Sequence, residues 1–393
     1  MNYLLSNKVA SLAPSAIREI LKATSQPGFI PLAAGNPAPE AFPVDDVRAI
    51  SARLLEERPI DCLQYGVTEG YQPLRDLLLA RLDIAASTDD LIITSGAQQV
   101  MDLATKVLCN EGDVVISESP SFIGSLNTFR SYGVRLRGVP MQSDGMDIDV
   151  LEDILRGEKN VRFIYTIPNY QNPSGATMSL TKRKRLYALA LQYGVLILED
   201  NPYGDLRYEG DAIPSVKSLD KDGIVLYAGS LSKILAPGIR VGYALAPKPL
   251  IAKMTVGKQA SDVHSSMFSQ LLVHEWMKTC DIAAHIAKIR DIYRAKRDLM
   301  CAGLQEAVDA GFLCYNRPAG GLFLWCDLPR QIGMIDIVQR AAKKSVAVVP
   351  GSAFAVEASD PINAIRLNFS TPTNPQLTEG LQKLTTVLKE AST

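Results

Sequence analysis

One lysine, Lys233, stands behind two serines, Ser230 and Ser232, and ahead of an arginine, Arg240, that follows a Pro237-Gly238 turn. A lysine amine forms a Schiff base with a carbonyl cofactor when other groups hold that cofactor's phosphate. Serine hydroxyls and a guanidinium fork suit phosphate oxygens. Taken alone, the stretch reads better as a solvated lysine in a Ser/Gly loop. Three more loops bear on the choice. Ser95-Gly96-Ala97-Gln98 opens a predicted helix and offers backbone N–H groups at its positive end. Asn172 lies in the Pro- and Asn-rich stretch 167–175, and Asp200 and Tyr203 lie in Glu199-Asp200-Asn201-Pro202-Tyr203. Each loop follows a short apolar run. Four loops of complementary chemistry at four strand ends point to a cofactor site.

The elements that must carry these loops follow from the pattern. Apolar runs at 91–94, 114–117, 134–139, 162–166, 195–199, 224–228 and 241–246 alternate with helical stretches from about residue 46. Most lack polar alternation, as expected of strands covered on both faces. The expectation is an α/β domain with a mostly parallel seven-stranded sheet, binding ligands at the carboxyl ends of its strands. A long helical region, 279–310, leads into a smaller α+β unit. There, strand candidates 321–328, 346–349 and 364–369 alternate with helices 335–344 and 376–390. The predicted division is an N-terminal arm 1–45 joining the small domain, a large domain 46–285 and a small domain 286–393. In the arm, Ser15 caps a short helix ended by Gln26-Pro27-Gly28; Arg18 falls off its apolar stripe, as any solvated charge would.

Composition narrows the class. The chain has 393 residues, 47% hydrophobic and 21% charged, with 41 basic against 42 acidic side chains. That balance suits a globular protein of about two domains and gives no reason to expect nucleic-acid or membrane partners. Six dispersed cysteines without a CxxC pair fit free thiols in a reducing compartment. Neither a signal peptide nor a long apolar span is read, so the expected location is cytoplasmic. The three histidines have no spacing that demands a metal, and none is expected.

The same residues carry a resemblance that runs almost end to end. Beside the four loops stand Ser15-Ala16-Ile17-Arg18, residues 35–43, Leu63-Gln64-Tyr65-Gly66-Val67-Thr68-Glu69-Gly70-Tyr71, Lys258-Gln259-Ala260-Ser261-Asp262-Val263-His264 and Ile365-Arg366-Leu367-Asn368-Phe369-Ser370. Together they resemble the pyridoxal-5′-phosphate-dependent aminotransferases of fold type I, class I/II, and more narrowly the 2-aminoadipate and kynurenine branch. The resemblance implies a homodimer with active sites shared between subunits. It makes Lys233 the Schiff-base lysine and proton shuttle, and sets Asp200 against the pyridine nitrogen. Asn172 and Tyr203 would bond the ring's phenolic oxygen. The Ser95-Gly96-Ala97-Gln98 loop, through its Ala97 and Gln98 amides, would cradle the phosphate with Ser230, Ser232, Arg240 and a partner's Tyr65. Phe122 would stack on the ring, where the branch commonly carries tyrosine. Arg366 would bind the substrate α-carboxylate with Gly35 and Asn172, and Arg18 would read a side-chain carboxylate. Without the family, Asp200 is a helix cap, Asn172-Pro173 a turn, Tyr203 a core aromatic and Arg366 an exposed residue on an edge strand.

The reaction so implied moves the amino group of an L-α-amino acid to a 2-oxo acid, with 2-oxoglutarate as expected acceptor. Donors would be 2-aminoadipate, glutamate, leucine or an aromatic amino acid. Two rivals remain open at this stage: a β-lyase on the same fold, and a non-catalytic binding module. A regulator's basic helix-turn-helix segment is not read before the fold, which disfavours the latter.

Overall fold

The computed structural model describes residues 28–392 apart from 83 and 85, together with Ser6 and Lys8; Arg18 and its helix lie outside the described residues. The first strand, β1 (Ile30–Pro31), precedes the main sheet and takes no part in it. That sheet is built from β2 (Asp89–Thr94), β3 (Val114–Ser119), β4 (Arg135–Gln142), β5 (Gly145–Met146), β6 (Val161–Thr166), β7 (Leu196–Asn201), β8 (Val225–Ser230) and β9 (Gly242–Pro247). Their spatial order is β2-β9-β8-β7-β6-β3-β4-β5. All seven expected runs are present. The eighth strand, β5, corrects the count of seven: it is a two-residue return antiparallel to the end of β4, too short to show any periodicity.

Burial alternates between two faces, which is why the strands read as unbroken apolar runs. Val115, Phe163, Tyr165, Leu198 and Leu226 join one core with Val100, Met101 and Ala104 of the Ala97–Leu108 helix. Their neighbours Val114, Ile116, Ile164, Ile197 and Val225 join a second core with Leu151, Leu186 and Ala190, from the Ile148–Gly157 and Leu180–Tyr193 helices. Each face of the sheet is therefore sealed by helices.

The strand directions position the site. β4, β3, β6, β7 and β8 run parallel to one another, while β9 runs antiparallel to both β8 and β2. The start of β9 therefore lies at the same sheet edge as the ends of β2 and β8. Gly242 pairs with Thr94 on one side and Ser230 on the other. Arg240, just before β9, thus meets loops that follow strands far from it in sequence.

Beyond the sheet, the 28-residue helix Ile282–Asp309 is capped by the Asp281 carboxylate, which accepts the Ala284 N–H at 2.9 Å. It packs on the C-terminal helix Asn374–Ser392. Three strands follow it in a small antiparallel sheet, β10 (Phe323–Asp327), β13 (Ala364–Asn368) and β12 (Val349–Pro350), in the order β10-β13-β12. The expected strand 346–349 divides in two, because its first part, β11 (Val346–Ala347), pairs in parallel with β1 instead. Arg366 sits on the central strand, opposite Trp325 and Val349, so the edge-strand alternative is wrong. Among the described residues no helix is long and apolar enough to cross a membrane.

Gly242 is where β9 and the Ser95–Ala97 turn come closest. A Cβ there would lie 2.6 Å from the Ala97 nitrogen and 2.6 Å from the Gly96 carbonyl carbon, both backbone atoms. Gly242→Ala should destabilise the fold by about 1–3 kcal/mol, the usual cost of overpacking. The denaturant midpoint at constant m-value measures it; an unmoved midpoint would mean that the turn gives way freely.

Candidate active site

The strand-end loops enclose a cavity of about 330 Å³. Gly35, Ala97, Gln98, Phe122, Asn172, Asp200, Tyr203, Ser230, Ser232, Lys233, Arg240 and Arg366 all line it. Ser95 and Gly96 stand behind that wall. Ser95 turns its hydroxyl to Asp262 Oδ2 at 3.2 Å, and a Cβ on Gly96 would strike the Arg240 guanidinium. Tyr65 is away from the cavity of its own chain, 82% exposed and edge-on to His264.

Lys233 follows β8 in a turn pinned by three buried side chains, Leu231, Ile234 and Leu235. Within it the Ser232 N–H donates to Ser230 Oγ at 3.2 Å, so the two serines brace one another. Lys233 Nζ donates to the Gly35 carbonyl at 3.0 Å. Burial, with the cations of Arg366 and Arg240 nearby, pushes its pKa down to about 8. A useful fraction of this amine is neutral near physiological pH.

Asp200 lies one residue before the end of β7, fully enclosed, and burial raises its pKa to about 7, with the Glu118 carboxylate adding to the rise. Its Oδ2 accepts the Tyr165 hydroxyl at 2.8 Å, and Tyr165 in turn accepts from Ser125 Oγ at 2.9 Å. Oδ1 has no partner. A buried oxygen left so costs about 1–3 kcal/mol, and Asp200 lines the cavity, so a donor within it would satisfy that oxygen. Tyr165 and Ser125 were not anticipated. Tyr165 lies mid-strand in an apolar run, and its only signal is sharing a face with Phe163.

At the cavity's other end the Ala97–Leu108 helix begins at Gly96, with φ 77° and no side-chain cap. Its first N–H groups have no intrahelical acceptor and point, with the helix dipole, to where an anion would sit. Gln98 spends its side chain on the Gly124 carbonyl at 3.0 Å and Thr128 Oγ1 at 2.5 Å, leaving its backbone for the cavity. Arg240 has a left-handed backbone, φ 58°, that folds its side chain back. Its Nη1 donates to the Pro237 carbonyl at 3.3 Å and its Nη2 to the Ser95 carbonyl at 3.0 Å.

Arg366 is 2% exposed. Nη1 donates to Asn172 Oδ1 at 2.9 Å and Nη2 to the Ala33 carbonyl at 2.7 Å. Its guanidinium carbon lies 4.2 Å from the Phe323 ring centre and 4.7 Å from that of Phe354. Burial pushes its pKa down to about 9, which leaves it charged at neutral pH. Nε lacks a partner, so the group keeps a donor in reserve. Phe323 and Phe354 were also unanticipated. Tyr203 is enclosed, and burial drives its pKa up.

Among the described residues no cluster of three or more His, Cys, Asp or Glu side chains stands ready for a metal ion. The residues present fit pyridoxal 5′-phosphate: a half-satisfied carboxylate for a protonated ring nitrogen, a low-pKa lysine for its aldehyde, and N–H groups with serines and Arg240 for its phosphate.

Comparison with known proteins agrees. The family of class I and II aminotransferases matches residues 27–384. Aromatic-amino-acid aminotransferase 1 of Thermococcus litoralis is 39% identical, over 98% of this chain and 94% of its own. The multiple substrate aminotransferase of Thermococcus profundus superposes with a TM-score of 0.93 at 38% identity, over 98% of both chains. An alpha-aminoadipate aminotransferase of Thermus thermophilus, solved with a phosphopyridoxyl-leucine adduct, superposes with a TM-score of 0.91 at 35% identity, over 98% of this chain and 97% of that one. This chain belongs to the class I and II aminotransferases, fold type I enzymes that use pyridoxal 5′-phosphate to move an amino group from an amino acid to a 2-oxo acid.

Proposed function

We propose that Lys233, Asp200 and Arg366 divide the work of transamination in this cavity. One observation carries the reading: a depressed lysine, a carboxylate with one orphaned oxygen and a guanidinium with one orphaned donor line the same 330 Å³ space. When bound, the cofactor supplies a carbonyl that captures amines and a ring that takes up the electron pair released at the substrate Cα. Lys233 would hold that carbonyl between turnovers. Once freed, its neutral Nζ would take the proton from Cα and return it at the carbon that receives the amino group. Asp200, ionised beside the ring nitrogen, would keep a proton there. Tyr165 would support it by donating to Oδ2. Asn172 and Tyr203 would bond the ring oxygen, and Phe122 would stack on the ring.

Arg366 would take the α-carboxylate common to every substrate. Its bonds to Asn172 and Ala33, and the two rings packed close to it, hold the fork in place before a substrate arrives. Ser230, Ser232, Arg240 and the Ala97 and Gln98 amides would hold the phosphate. Tyr65 would reach the phosphate of a second copy in a homodimer. In support, Ile60, Leu63 and Val67 beside it stand 70%, 75% and 61% exposed, an apolar patch that a dimer would cover. Residues 46–285 would form the cofactor-binding domain and 286–393, with the arm 1–45, the small one. The six cysteines stand free, which fits a reducing, cytoplasmic setting.

For donors we propose a broad range, including aromatic, apolar and acidic amino acids, with 2-oxoglutarate as acceptor. Among the described residues the cations lining the cavity are Lys233, Arg240 and Arg366, all given other tasks. A substrate with a second carboxylate therefore needs another cation, and Arg18 of the arm is proposed for it.

Borohydride reduction of the holoenzyme should fix the cofactor on Lys233. Lys233→Ala should abolish that bond and lower turnover by at least about 10²–10⁴-fold. Attachment to another lysine would overturn the assignment.

The Asp200 environment gives a pH signature in the cofactor-free protein. Its pKa rises from 3.8 to about 7 on folding, so the folded chain keeps a proton that the unfolded chain loses in that interval. Stability therefore declines as pH rises through it. Asp200→Asn should be more stable than the parent above pH 7, with the advantage fading toward pH 4, while turnover is lost. A stability difference independent of pH would contradict the buried, half-satisfied carboxylate.

Arg18→Ala should weaken glutamate and 2-oxoglutarate roughly 10- to 150-fold, the worth of one charge-assisted contact. Leucine should change little when the two half-reactions are measured separately. An equal loss for both would leave Arg18 a structural residue.

A further inference from the structure

Residues 258–264 take no part in the chemistry above, yet their polar atoms converge on the back wall of the phosphate cradle. Lys258 is fully buried in the Lys248–Gln259 helix. Its Nζ donates to Asp262 Oδ1 at 2.9 Å, to Oδ2 at 3.0 Å and to Gln99 Oε1 at 2.6 Å. Gln99 Nε2 donates to Asp262 Oδ2 at 2.8 Å, and Gln99 Oε1 also accepts the Ser95 N–H at 2.8 Å. Ser95 Oγ donates to the same Asp262 Oδ2 at 3.2 Å. The Ser95 carbonyl then accepts Arg240 Nη2. An unbroken hydrogen-bonded path runs from the ion pair between buried Lys258 and the more accessible Asp262 to the guanidinium at the cavity.

The backbone is shaped to hold Asp262 in that path. The N–H groups of Ser261, Asp262 and Val263 all donate to the Lys258 carbonyl, at 2.9, 3.0 and 3.2 Å. Val263 is left with φ 66°, a region that a β-branched residue avoids. Its side chain is half exposed, so packing does not impose this conformation; the turn does. Arg240, by contrast, is exposed and long, and without a fixed acceptor its fork would sample many rotamers before meeting a phosphate.

We infer that Asp262, locked by Lys258 and Gln99, is a positioning residue: it fixes Ser95, whose carbonyl orients Arg240 for the cofactor's phosphate. The inference rests on the phosphate role proposed for Arg240. The test titrates full-length Asp262→Asn, Arg240→Ala and the double variant with pyridoxal 5′-phosphate and, separately, with pyridoxal. Asp262→Asn should weaken the phosphorylated ligand about tenfold, the effect of loosening one charge-assisted contact, and leave pyridoxal unchanged. In the Arg240→Ala background the same substitution should cost nothing further. Equal loss for both ligands, or the same loss in both backgrounds, would overturn the inference. Unchanged affinity for pyridoxal 5′-phosphate in Arg240→Ala alone would instead overturn the phosphate assignment, and the inference with it. Because Asp262→Asn leaves Lys258 without its counter-charge, the pair is also removed together as Lys258→Met with Asp262→Asn, judged by the same cycle.

Discussion

A carboxylate kept out of water and only half satisfied governs this site. Glu199 and Asp200 are neighbours on β7, so the strand's alternation sends them to opposite faces. Both are buried, and their fates differ. Glu199 accepts the Val216 N–H at 3.0 Å and the Lys217 N–H at 2.7 Å, which settles it as part of the scaffold. Asp200 is given one hydroxyl and nothing for its second oxygen. The fold thus carries one carboxylate at rest and one that a ligand can complete.

The surroundings are built to preserve that difference. Glu118 accepts from Thr166 Oγ1, the Ile167 N–H and Gln171 Nε2, tying the loop after β6 to the end of β3. Arg183, wholly buried, donates to the Met178 and Pro168 carbonyls and to Asn169 Oδ1, fastening the other side of the same loop. Asn172 sits on this fastened segment, and Asn172 is what Arg366 holds. Arg366 also reaches Ala33, just past β1. Three distant parts of the chain therefore meet on one guanidinium, and the fork proposed to bind a carboxylate is held in place only when all three are present.

What could be read from the chain beforehand was whatever a local stretch declares. Lys233, Asp200, Asn172 and the Ser95–Gln98 loop each follow an apolar run and break it with polar or turn-forming residues, so their placement at strand ends was legible. Tyr165 was not, because Phe163-Ile164-Tyr165 is simply what a buried strand looks like. Its task arises from β6 lying beside β7 and from Ser125 descending on it from another helix. The aromatic pair around Arg366 was hidden for the same reason: Phe323 is on β10, and Phe354 ends a short 3₁₀ turn, Gly351–Phe354. Only the pairing of β10 and β12 with β13 brings those rings to the guanidinium. Strand β5 and the division between β11 and β12 escaped because two residues carry no period. The role of Tyr65 rested on family likeness alone, and that of Arg18 on the same likeness together with its place off the apolar stripe of a short helix in the arm.

The reversed strand β9 also sets a timetable for synthesis. β2 leaves the ribosome early, but its place in the sheet is beside β9, and Ser95 waits for an arginine 145 residues further along. While the intervening chain is being made, the edge of β2 has no strand to bond, and such edges invite wrong partners. The proposed phosphate cradle cannot close on the nascent chain until β9 has emerged and inserted between β2 and β8. The anchor proposed for the cofactor's phosphate is thus among the last parts of the large sheet to form, so on that reading phosphate capture reports a sheet already complete.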